Sequence, residues 1–194
     1  MTKDEFREIY REKRKALSRE EVEIGSQKIA ELFFREISIG QNNMLHIFLP
    51  IRKLNEINTF HIINPLKKAN NSSICFPRIK AGTNEMEHIL LDKTTCLEEN
   101  SFGIPEPMDG QRILIKDIDI VLIPLLAFDT LGYRLGYGKG FYDKFLAECS
   151  PKAQFIGLSL FGPETNPLPK DDWDIPLDAC ITPTEVYRFN SFSK

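Results

Sequence analysis

The decapeptide RLGYGKGFYD, Arg134 to Asp143, sets glycine at 136, 138 and 140, encloses Lys139 between two of them and closes on an aspartate. A glycine in mid-chain costs roughly 0.5–1 kcal/mol in conformational freedom relative to alanine, so a run this dense needs a reason. One reason is a tight crossover turn. The other is a ligand that lies against bare backbone. Where strand, glycine loop and helix follow in that order, N–H groups of the loop and of the first helical turn converge on one point, and the helix dipole favours negative charge there. Arg134 and Lys139 would add full positive charges, and Arg134 can hold two oxygens at once. The loop is not a Walker A motif, because Tyr133 stands where its first glycine belongs, and Phe141 breaks GxGxxG. Spacing alone leaves tight packing and anion binding both open.

Other residues could complete such a site. Asp143 falls in the first turn of the next helix, where a carboxylate suits the dipole. An acid beside phosphate is also what Mg²⁺ uses, since that ion takes one or two carboxylates together with phosphate oxygens and water. KDDWD offers Asp171, Asp172 and Asp174 as a second source, or a solvated acidic loop. Glu56, in LNEINT, either caps a helix or receives N–H donors from a ligand. Lys3 and Arg7 stand four apart on a first helix, within reach of one anion or as ordinary surface charges. The rest of that helix, including REKRK, carries mixed charge and reads as a solvated face. Cys75, Cys96, Cys149 and Cys180 have no zinc spacing and read as buried free thiols. His46, His61 and His88 form no HxxxH pair and suggest neither a triad nor a zincin.

Positioning these groups falls to alternating helices and buried strands. A charged helix from Lys3 to Leu17 breaks at Ser18, where SREE offers a capping box, and a second helix follows through VEIGSQKIAELFFREI. MLHIFLP is a buried strand; beyond it a helix is capped at Asn58 or Thr59 and kinked or shortened by Pro65. SSICFPRI and EMEHILL read as strands, and ENSFGIPEPMDGQRI as an irregular loop. IDIVLIPLLAFD is nearly all apolar and reads as the central strand, leading through the glycine loop into the helix YDKFLAEC. AQFIGLSL and ACIT are two further strands. This alternation predicts an α/β fold with a largely parallel sheet, whose ligands lie beyond the carboxyl ends of the strands.

The 194 residues, 42% hydrophobic and 27% charged, suit one self-folding domain, 1–194. A net charge of −3 gives no footprint for nucleic acid. The longest apolar run, IVLIPLLAF, is interrupted by Pro124 and is about half a membrane span, so a soluble, cytoplasmic protein without membrane contact is expected.

FDTLGYRLGYGKGFYDKFL closely resembles the signature of the 5-formyltetrahydrofolate cyclo-ligase (methenyltetrahydrofolate synthetase) family. The agreement covers nearly the whole chain, in order: Lys3-xxx-Arg7 followed by RKALS, then IFLP and NEINT, CFPRI, GIPEP, and an aspartate loop before LDACIT. The long signature is specific; the short ones would be weak alone. The resemblance implies a single three-layer α/β/α domain that turns MgATP and 5-formyltetrahydrofolate into 5,10-methenyltetrahydrofolate, ADP and phosphate. It implies ATP contacts from Lys3, Arg7, Arg134, Leu135, Gly136, Tyr137, Gly138, Lys139, Gly140, Phe141 and Tyr142, with Lys139 and Arg134 stabilising the transferring phosphoryl group. Leu49 and Glu56 become folate contacts, Tyr137 and Phe141 close around the pterin and formyl group, and Asp143 and Asp174 hold Mg²⁺. Phe141 stands where many relatives carry tyrosine. The partners the resemblance implies are ATP and 5-formyltetrahydrofolate, a folate that can carry a polyglutamate tail, and the expected assembly is a monomer or weak homodimer. The rival reading is a non-catalytic nucleotide- or phosphate-sensing module on the same fold, which would have no use for Glu56 and both metal acids together.

Overall fold

Capping chemistry starts the first two helices. In α1 (Lys3–Lys15) the Thr2 side chain accepts from the Glu5 N–H and Glu5 returns a bond to the Thr2 backbone, while Lys13, Arg14 and Lys15 close the last turn. α2 (Arg19–Glu36) opens on the expected box between Ser18 and Glu21. Each such cap is worth about 1 kcal/mol. The computed structural model describes residues 1–69, 72–80, 83, 85–93, 95–99 and 105–189.

β1 (Met44–His46) is followed by a buried but irregular stretch and then by α3 (Phe60–Ala69). Asn58 Oδ1 accepts the Phe60 N–H, whereas the Thr59 hydroxyl donates to the Phe48 carbonyl, so the first caps and the second ties the helix back to the sheet. Pro65 lies inside α3 without ending it. Burial of Ile62, Ile63 and Leu66 holds the helix through the lost hydrogen bond.

β2 (Ser73–Ile79) and β3 (Met86–Leu90) pair antiparallel. The loop expected to be irregular, ENSFGIPEPMDGQRI, supplies β5 (Pro105–Pro107), which pairs antiparallel with β4 (Leu97–Glu99) at its entry. Gly103 and Ile104 of GIPEP lie outside the described residues. β6 (Ile120–Pro124) is followed by a two-stranded hairpin, β7 (Ala127–Phe128) with β8 (Arg134–Leu135), then by α4 (Phe141–Glu148). β9 (Gln154–Leu158), β10 (Ala179–Ile181) and β11 (Val186–Arg188) complete the chain.

The main sheet runs β11-β10-β9-β6-β1-β2-β3, parallel except at its two edge pairs. β6 is central, as its composition predicts. Ile120 and Leu122 face one core beneath α2 and α3, while Val121 and Ile123 face the other beneath α4, which makes the three layers. Read in chain order, the parallel strands lie 2-1-3-4-5 across the sheet, so the connections leaving β1 and β6 diverge. A crevice opens between them at the carboxyl ends. α1 joins neither core; Tyr10 packs with Leu126, Ala127, Leu135 and Leu168 against the β7–β8 hairpin.

Candidate active site

A cavity of about 580 Å³ fills that crevice. The stretch after β1 forms one wall, with Phe48, Leu49 and Glu56; Pro77, Ile79 and Met86 of β2 and β3 add an apolar side. α1 contributes Lys3 and Arg7, and the loop after β9 contributes Asp171, Trp173 and Asp174. All ten residues from Arg134 to Asp143 line it. Of the candidate residues proposed from the sequence, all but Asp172 therefore face one space, of a size suited to small ligands.

The glycines divide by cause. Gly138 (φ 92°) and Gly140 (φ 70°) occupy the left-handed region, which the turn into α4 requires. A Cβ on Gly138 would also come within 3.1 Å of Arg7 Cζ, because Arg7 Nε donates to the Gly136 carbonyl at 3.1 Å and draws the loop onto α1. Gly136 has neither excuse: its φ is not positive, and a Cβ there would meet nothing within 4 Å. It borders the cavity with bare backbone. Tight turning and bare backbone open to the cavity thus coexist in one loop, at different positions.

The charged end is already internally paired. The Arg134 side chain, 5% exposed, donates to Asp143 Oδ1 at 2.7 Å and to the Ile175 carbonyl. Burial pushes its pKa down, and Asp143 and Asp174 pull it back. Lys3 Nζ lies 2.6 Å from both Asp171 Oδ2 and Asp174 Oδ2. Burial works against this ammonium, but the two aspartates hold it above its ordinary range. Asp174 Oδ2 also receives the Asp171 N–H at 2.8 Å. Asp172 does not line the cavity, so of the three acids in KDDWD only Asp171 and Asp174 face it. Lys139 stands exposed at the rim.

Asp143 and Asp174 are hard oxygen donors that both act on the Arg134 guanidinium. Among the described residues, no three metal-ligating side chains gather into a cage. The pair fits a divalent cation that brings phosphate oxygens and water as its remaining ligands, which is how Mg²⁺ is commonly held.

At the other end Glu56 is buried, 6% exposed. Tyr137 Oη donates to its Oε1 at 2.5 Å, and the Ile51 N–H donates to its Oε2 at 2.8 Å. Burial raises its pKa above the usual carboxylate range, opposed by these two donors and by the charge of Arg14. Burial likewise pushes the Tyr137 phenol up, so it stays protonated and can donate. Arg14, 5% exposed, donates from Nη1 to Tyr137 Oη at 2.6 Å and from Nη2 to the Leu125 carbonyl at 2.5 Å. Arg14 belongs to REKRK, whose mixed charge suggests a solvated face, yet its side chain turns inward. Its signal was helical phase: Lys3, Arg7, Tyr10 and Arg14 fall on one side of α1.

The 5-formyltetrahydrofolate cyclo-ligase family model matches residues 1–183. The chain belongs to the 5-formyltetrahydrofolate cyclo-ligase family. A cyclo-ligase from Escherichia coli is 39% identical over 93 residues, a match covering 46% of this chain and 51% of that relative, so the aligned stretch spans about half the relative's length. Among solved structures, the 5,10-methenyltetrahydrofolate synthetase of Aquifex aeolicus superposes with a TM-score of 0.81 at 31% identity, covering 100% of this chain and 96% of the other. The synthetase from Mycoplasma pneumoniae gives 0.74 at 26% identity over 94% and 99%. The α/β/α architecture expected of a cyclo-ligase family member is the one described above. No described helix is long and apolar enough to cross a membrane.

Proposed function

We propose that this chain converts 5-formyltetrahydrofolate to 5,10-methenyltetrahydrofolate at the expense of MgATP, releasing ADP and phosphate. The observation that carries the reading is the adjacency, in one cavity, of a bare glycine loop ringed by cations and a buried carboxylate beside an apolar wall. The first suits a triphosphate and the second a pterin with polar edges. A module that only sensed nucleotide would have no use for the second.

The formyl oxygen is a poor leaving group, so N10 of the folate cannot close the ring unaided. Attack of that oxygen on the γ-phosphorus forms an O–P bond, breaks the bond to the β,γ-bridging oxygen and releases ADP. N10 then attacks the activated formyl carbon. As the new C–N bond forms, N10 gives up its proton, and Glu56 is the carboxylate suited to receive it. Cleavage of the C–O bond expels phosphate, which leaves with that proton, while the N5 lone pair completes the methenyl cation. The chain's part in phosphoryl transfer is to position the reactants and neutralise charge. Lys3, Arg7, Arg134 and Lys139 supply positive charge, and the loop from Gly136 to Gly140 supplies backbone N–H groups. Leu49, Tyr137 and Phe141 enclose the pterin. Asp143 and Asp174 would hold magnesium, which when bound supplies further neutralisation of the triphosphate.

The direct test mixes purified protein, 5-formyltetrahydrofolate and MgATP, and follows the methenyl chromophore together with ADP. Matched appearance of both is expected. ADP release with no chromophore would sink the folate assignment.

A further inference from the structure

Arg14 is a buried cation without a carboxylate at ion-pair distance among the described residues. Its Nε has no hydrogen-bond partner there, and its two Nη atoms bond a phenol oxygen and a carbonyl. Burying an arginine in this way is costly unless its charge acts on something nearby. The next group in line is Glu56, on the far side of the Tyr137 hydroxyl.

The same two elements are joined a second time. Asn55, beside Glu56 and in the left-handed region at φ 50°, donates from Nδ2 to the carbonyls of Arg14 and Leu17, both at 3.0 Å. The segment carrying Glu56 is thus fastened to the end of α1, from which the Arg14 side chain reaches the shared tyrosine.

We propose that Arg14 is a positioning residue for the proton-accepting carboxylate: it points the Tyr137 hydroxyl at Glu56 Oε1 and sets a buried positive charge behind that carboxylate. This rests on the folate reading above. A hydroxyl that accepts from a guanidinium must direct its own proton elsewhere, and Glu56 Oε1 is where it goes. Each carboxylate oxygen then takes one protein donor, from Tyr137 or Ile51, and keeps lone-pair capacity for the N10 proton. The titratable and charged groups facing Glu56 are Arg14 from α1, Tyr137 from the glycine loop and Tyr142 from α4. Only Arg14 among them carries positive charge.

The experiment compares the wild type with Arg14→Met, Arg14→Lys and Tyr137→Phe. Methenyl formation is followed against pH with both substrates saturating. Without the guanidinium Glu56 is harder to ionise, so the acid limb of kcat should move to higher pH by about one unit or more in Arg14→Met. Arg14→Lys should restore part of the shift, and the KM for ATP should stay within about twofold. Tyr137→Phe, which keeps Arg14 and removes the bridge, should move the limb the same way. An unmoved limb in folded Arg14→Met overturns the proposal, as does an unmoved limb in Tyr137→Phe should the methionine variant not fold. If the wild type makes no methenyl product, the functional reading fails by itself. Isotope-edited infrared titration of glutamate carboxyls, without substrate, then still decides the link: an upward shift for Glu56 in Arg14→Lys or Arg14→Met supports it, and no shift overturns it.

Discussion

Arg134 and Asp143, the first and last residues of the glycine decapeptide, form an ion pair at 2.7 Å with the arginine side chain almost wholly buried. The pair draws the two ends of the loop together beside α4. The carboxylate proposed as a magnesium ligand is therefore also the counter-charge that lets the arginine remain inside.

Asp143→Asn is accordingly expected to act twice. Asparagine can still accept from Arg134, so the protein should fold, but with the guanidinium less compensated its melting temperature should drop by several degrees, as for a loss of about 1–3 kcal/mol. Turnover should fall about 100-fold or more, and the magnesium concentration for half-maximal rate should rise. Calorimetry and a magnesium titration separate the effects. An unchanged magnesium requirement would leave Asp143 as a loop closure alone.

Gly136→Ala should split stability from function. Nothing in the fold opposes a methyl group there, so thermal stability should hold or rise by roughly 0.4–1 kcal/mol through the less flexible unfolded chain. In the function proposed above the methyl would stand against the triphosphate, and the KM for ATP should increase about tenfold or more. A normal KM would mean that the bare backbone at 136 serves no ligand.

Acid should weaken the fold through two imidazoles. His46 and His88 meet edge to face, with ring centroids 5.1 Å apart, beside Phe145, and neither ring has a hydrogen-bond partner among the described residues. Burial holds His46 well below the usual range and takes His88 to about 4. Both folded values lie below the unfolded value near 6.5, so the unfolded chain binds protons first. Their contribution is complete above that value and is lost as pH falls through it towards 4, at up to about 1.4 kcal/mol per pH unit for each ring. Denaturant unfolding of the wild type and His88→Phe at pH 7 and pH 5 should show the smaller drop in the variant. Equal drops would show that His88 does not drive the acid sensitivity.

Trp173 is the sole tryptophan, 71% exposed, and it borders the cavity one residue from Asp174. Its emission should be that of a solvated indole and should change on addition of MgATP, saturating near the kinetic KM. An unchanged spectrum at saturating nucleotide would place the indole off the ATP path.

What could be read from sequence followed the range of the forces involved. Caps, helices and the apolar run Ile120–Pro124 depend on neighbours a few residues away, and they stand where the pattern puts them. The β7–β8 hairpin escaped notice, since two-residue strands have no periodicity to detect. It is set instead by Asp129, whose Oδ1 accepts the N–H groups of Leu131 and Tyr133 while Oδ2 accepts that of Leu168. The residues that line the cavity are legible through the family signature, but their pairing is not. Glu56 meets Tyr137 across 81 positions and Arg14 meets it across 123, and a mixed-charge helix does not declare which of its arginines turns inward.

The packing of α1 on the hairpin, apart from both main cores, also bears on how the molecule assembles. Lys3, Arg7 and Arg14 reach partners at 171 and 174, 136, and 137, so the cavity closes through contacts between distant parts of the chain. Contacts of such long range carry a loop-closure cost and tend to slow folding. A refolding chain would complete its sheet and still lack a closed cavity until the first helix docks, making ligand capture a clock for that docking.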